Sequence, residues 1–180
     1  IEKLPKMYVQ NGHGVFNAFA THFLRNNYIV LNSAIVNSLI DQPQAIRFYI
    51  GHELGHLHRH HIKKHLYLSP ALFLPLLGSA YSRACEYTCD RYGLSCCESV
   101  EDAKIAFAVI SCGGKNWKSL SFTELNKQLS YTSEFWVSFN ELLLTHPWMS
   151  KRYYHLDCVS RGEEPVFPKT NPFSYILALF

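Results

Sequence analysis

Apolar and polar positions change their period along the chain. Between residues 6 and 32 they read as strands. KMYVQ (Lys6–Gln10) is a short strand and NGHG (Asn11–Gly14) a turn. VFNAFATHF (Val15–Phe23) mixes aromatic with small residues and reads as a second strand. Asn26 and Asn27 turn the chain again, and YIVLN (Tyr28–Asn32) has the composition of a buried strand. The pattern predicts a small, mostly antiparallel sheet near the N-terminus.

From Ser33 onward the period becomes helical. SAIVNSLI starts at Ser33, a good N-cap residue. DQPQ opens a longer helix, with Asp41 as cap, Pro43 in the first turn and Gln44 completing a capping box. Ile46, Tyr49 or Ile50, Leu54 and Leu57 carry its apolar face to about residue 60. SAYSRACEYTCDRYG (79–93) reads as a helix stopped by Gly93. ESVEDAKIAFAVISCGG (98–114) has an acidic first turn and a glycine stop. SFTELNKQLS and SEFWVSFNELLL are two more helices, and Pro147 opens a last one, PWMSKRYYHLDCVSR. With no repeat and no low-complexity linker, residues 1–180 read as one α+β domain, mainly helical.

Composition narrows the class. The chain has 180 residues, 48% hydrophobic and 17% charged, which is globular rather than disordered. Its net charge of +3 and the lack of a basic run interleaved with aromatics argue against a nucleic-acid partner. The six cysteines (85, 89, 96, 97, 112 and 158) read mostly as reduced, buried residues in a reducing compartment. Ile1 is not an initiator methionine, so the chain reads as a mature form or an excised fragment. Two stretches bear on membranes. Leu66–Ser82 carries no charge but holds Pro70, Pro75 and Gly78; it reads equally as a buried broken hairpin or as a segment dipping into a bilayer interface. The tail at 172–180 is apolar too, either a docking segment or the first turns of a span.

The chemistry concentrates in GHELGHLHRHH (Gly51–His61). His52, Glu53 and His56 form HExxH. Positions i and i+4 lie about 40° apart on a helix, so both imidazoles can reach one zinc ion. Glu53 is about 100° round from His52, placed to take a proton from zinc-bound water. A catalytic zinc needs a third protein ligand. His60 shares the face, but a straight helix diverges from a metal held one turn earlier. A metzincin pattern fails, because Arg59 and Ile62 stand where glycine and histidine are required. CEYTCD offers Glu86 and Asp90, again i and i+4. Glu86 can ligate while Asp90 accepts the second N–H of His52. The plainer alternative is a surface pair linked to Arg83 or Arg91. Cys85 and Cys89 read as helix-packing residues, and His58, His60, His61 and His65 as an exposed polar face. His13, His22 and His155 read as ordinary surface or core residues.

Four elements then occur in order: NAFA (Asn17–Ala20) ahead of YIVLN, HELGH (His52–His56), EYTCD (Glu86–Asp90) and HPWMSKR (His146–Arg152). Over about residues 5–157 this set resembles the HtpX-type zinc metallopeptidases, a family that includes the CAAX prenyl proteases. The resemblance implies a zincin-like α+β fold and one catalytic Zn2+ on His52, His56 and Glu86. It implies Glu53 as general base and acid, His146 at the oxyanion, and Asp90 and Arg152 as supports. Asn17, Ala18, Phe19 and Ala20 would form an edge strand that pairs with an extended protein or peptide substrate. Many members carry transmembrane helices; the insertion at 66–82 is too short for two spans. The expectation is membrane association with the catalytic domain in the cytoplasm. The competing readings are a prenyl-protein peptidase and a non-catalytic zinc-binding or chaperone-like adaptor domain.

Overall fold

The computed structural model describes residues 4–12, 17–23, 26–61, 64 and 76–179. His13, Val15, His65 and most of the apolar stretch at 66–82 lie outside these residues. The described chain falls into two compact units. The first holds residues up to 62 together with 89–120, and the second holds 63–88 with 121–180.

In the first unit, β1 (Lys6–Gln10), β2 (Ala18–Phe23) and β3 (Asn26–Asn32) form a sheet of order β1-β3-β2. β2 and β3 are an antiparallel pair, with Ala18 opposite Leu31 and Ala20 opposite Ile29. β1 pairs with β3 in parallel, from Lys6 opposite Tyr28 to Gln10 opposite Asn32. The sheet is therefore mixed, with β3 in the middle. β3 alternates as a half-buried strand should: Ile29 and Leu31 face the core. Asn32 locks the end of β3, donating its backbone N–H to the Asn17 carbonyl at 3.1 Å and accepting from Gln10 Nε2 at 3.1 Å.

Helix α1 (Ser33–Ser38) follows without a break, and its N-cap is Asn32 rather than Ser33. Asp41 makes no capping hydrogen bond among the described residues. Pro43–Ala45 form a 3-10 turn with no side-chain cap, and α2 (Ile46–His58) grows from it. Proline's fixed φ and missing N–H suit that first turn, so the turn needs no capping box. α2 buries Phe48, Tyr49, Gly51, Glu53, Gly55 and Leu57, more than one stripe. Tyr49 donates its hydroxyl to the Ala106 carbonyl at 2.5 Å. That carbonyl lies on α4 (Val100–Cys112), whose Ala103, Ala106, Phe107, Ala108 and Val109 are buried. A capping box starts α4: Ser99 Oγ accepts from the Asp102 N–H, and Asp102 accepts from the Ser99 N–H.

Helix α3 runs from Leu77 to Cys96, straight through Gly93. Gly93 is there for close approach. A Cβ at that position would come within 2.8 Å of the Phe48 ring and 2.9 Å of the Phe48 carbonyl oxygen. Its lack of a side chain seats α3 on α2 rather than ending α3.

In the second unit, α5 (Phe122–Lys127), α6 (Phe135–Leu143), α7 (Met149–Ser160) and α8 (Pro172–Ala178) accompany the first turns of α3. α7 is the central helix, with Ser150 to Tyr153, His155, Leu156 and Cys158 buried. Tyr153 stacks on Phe122 with ring centroids 4.5 Å apart. A buried ion pair joins Lys151 on α7 to Glu141 on α6. Arg83 donates to the carbonyls of Glu141, Leu142 and Leu144, and Ser79 Oγ donates to that of Leu142. These side chains satisfy the last carbonyls of α6. The apolar tail is helical as α8, tied to α6 by Ser174 Oγ donating to the Phe135 carbonyl at 2.8 Å.

Candidate metal centre

In the first unit the HExxH histidines converge. His52 Nε2 and His56 Nε2 lie 3.3 Å apart on successive turns of α2. Their other ring nitrogens turn away from each other. His52 Nδ1 is 3.0 Å from Asp90 Oδ1, and Asp90 is fully buried. An ionised carboxylate only accepts, so His52 Nδ1 carries a proton, and in the neutral ring Nε2 then keeps a lone pair. His56 Nδ1 is 3.1 Å from His61 Nδ1. When His56 donates there, its Nε2 is likewise left with a lone pair. Glu53, between the two histidines in sequence, is 7% exposed.

Two neighbours of this pair have roles that the sequence did not suggest. His61 is buried, not on a polar face. On a continuous helix it would point about 140° away from His56. But α2 ends at His58, and His60 adopts a left-handed φ of 55°, which folds His61 back onto His56. Cys89 does pack its helix, with 0% exposure, and it packs beside the histidines. Gly55 permits this: a Cβ there would lie 3.2 Å from both Cys89 Cα and Cys89 Sγ. The donor atoms of His52, His56 and Cys89 all fall within 4.8 Å of one another. His58 and His60 are exposed.

In the second unit three more of the expected residues meet. Arg152 Nη1 is 3.1 Å from Glu86 Oε2, and both side chains are buried. His146 Nε2 is 3.7 Å from Glu86 Oε1, with the His146 side chain 66% exposed. Thr145 Oγ1 is 3.0 Å from His146 Nδ1 and holds the ring. Just beyond, Trp148 and Met149 line a cavity of about 480 Å3 with Tyr131, Trp136 and Val137. Glu86 and Asp90 stand one turn apart on α3. Asn17 precedes and Ala18–Ala20 begin the edge strand β2, whose outer side carries no strand among the described residues.

The sequence model of peptidase family M48 matches residues 1–74 and 65–159. The chain belongs to peptidase family M48. Comparisons with curated proteins and with solved structures each found no match. M48 peptidases are zinc-dependent metallopeptidases acting on peptide substrates. The histidine pair fits that ion. Two nitrogens bound tetrahedrally at about 2.05 Å lie about 3.3 Å apart, the separation seen here. The M48 match also covers β2, α2 and the part of α3 that carries Glu86 and Asp90. No helix among the described residues is long and apolar enough to cross a membrane.

Proposed function

We propose that this chain is a zinc metalloendopeptidase whose metal is held by His52, His56 and Glu86, with Glu53 as the proton carrier. The observation that carries the reading is the facing Nε2 pair at 3.3 Å, each ring tied back through Nδ1. Where both rings are neutral and donate through Nδ1, two lone pairs face each other at that distance, and a cation between them relieves the repulsion. Glu86 takes its role from its place one turn before Asp90 on α3 and from the family pattern.

Zinc, when bound, supplies a Lewis acid that polarises the scissile carbonyl and acidifies water. Glu53 accepts the proton of the attacking water and returns it to the leaving amine. Its burial removes competing solvent and strengthens the transfer. His146, exposed and oriented by Thr145, donates to the developing oxyanion. Arg152 holds the Glu86 carboxylate in one orientation. Asp90 does the same for the His52 ring. An extended peptide pairs its backbone with the outer side of β2 at Asn17–Ala20 and is cut as a strand.

The test is Glu53→Gln. The variant is expected to keep one zinc per chain and lose roughly 10²–10⁴-fold in peptide cleavage. Unchanged cleavage by the zinc-loaded variant sinks the mechanism.

A further inference from the structure

The metal centre has a donor that the proposed ligand set leaves unused. Cys89 lies one residue before Asp90 on α3, and its thiol is fully buried against α2. Its Sγ is within 4.8 Å of one ring nitrogen of each of His52 and His56. It is also 3.6 Å from His61 Nδ1. A thiolate and an imidazole on one tetrahedral zinc lie about 3.6 Å apart, and the separations here are bounded by 4.8 Å. Gly55, opposite, is what lets the sulfur approach the pair.

We infer that Cys89 is itself a metal ligand, completing a His52–His56–Cys89 face for a thiophilic cation such as Zn2+ or Cd2+. This rests on the reading of His52 and His56 as the metal-binding pair. Binding forms the metal–sulfur bond, and the thiol proton leaves to the buffer. The consequence is regulatory. A sulfur on the ion fills one of its four positions and leaves one fewer open for water or a peptide carbonyl. The sulfur-ligated form is the resting state of the centre, and substrate must displace the thiolate to be cut.

Cobalt(II) loaded into the metal-free full-length protein reads this directly, because thiolate ligation adds an intense near-ultraviolet charge-transfer band. The expected result is that band in the wild type, its loss in Cys89→Ser, and retention of the visible ligand-field bands in that variant. Ligand-field bands that vanish in His52→Ala, with no thiolate band in the wild type, overturn the Cys89 ligand and leave the zinc reading standing. A thiolate band that persists in Cys89→Ser assigns the sulfur elsewhere and overturns it too. Absence of any bound cobalt overturns both. X-ray absorption at the zinc edge of the wild type needs no variant: one sulfur at about 2.3 Å supports the inference, and none defeats it.

Discussion

Asp90 Oδ1 accepts the Nδ1–H of His52 at 3.0 Å from a fully buried position. The bond favours the tautomer that carries its proton on Nδ1 and prevents the ring from flipping. Asp90→Ala is expected to lower zinc affinity by roughly 10–100-fold, the usual cost of losing such a partner. Competition against a chromogenic chelator measures it, and an unchanged affinity rules out the orienting role.

His61 holds the other ring. His61→Ala leaves His56 Nδ1 without its 3.1 Å partner. The same chelator titration should show a loss in the range of about 10–100-fold. His58→Ala, an exposed change, should show none.

Gly93 is a contact rather than a stop. Alanine gains about 1 kcal/mol over glycine within a helix. Here its methyl would press on the Phe48 ring and backbone at 2.8–2.9 Å, and overpacking of that kind costs about 1–3 kcal/mol. The clash wins, so Gly93→Ala lowers the urea midpoint. A raised midpoint would show that α2 and α3 do not meet there.

Lys151 and Glu141 are buried charges that neutralise each other. Glu141 also accepts the Trp148 N–H at 3.4 Å. Removing one partner leaves a charge stranded, so Glu141→Ala is expected to cost about 3–5 kcal/mol of stability. Replacing both with apolar residues of similar volume should recover most of it. Denaturant melts of the two singles and the double give the coupling directly.

Thiol chemistry separates two neighbours. Burial, with Asp102 and Cys96 adding to it, pushes the Cys97 thiol up to about 12. Only about one part in 10⁴ is then thiolate at pH 8. Cys96 and Cys112 are exposed. Timed iodoacetamide labelling at pH 8 is expected to modify Cys96 and Cys112 well before Cys97. For Cys97, the rate should climb about tenfold per pH unit up to its high pKa.

What the sequence by itself determined is local. The strand at Lys6–Gln10 occurs at the predicted residues, and the helices at 46–58 and 100–112 occur where the 3.6 period predicts them. The HExxH spacing places two imidazoles on one side of α2, because helix geometry alone relates i to i+4. Peptidase family M48 was legible in the same way, as an ordered set of short motifs. The tertiary structure decided what packs across elements. It carried α3 through Gly93, because the neighbour that glycine accommodates, Phe48, is 45 residues away in the chain. It turned His61 inward, because one left-handed residue at His60 breaks the periodicity by which the histidine reads as exposed. It set Cys89 beside the histidines, because Gly55 lets two helices close to contact distance. Periodicity describes directions within one element. Which donors share a point in space depends on the distance between two elements, and that is set by the side chains each of them lacks.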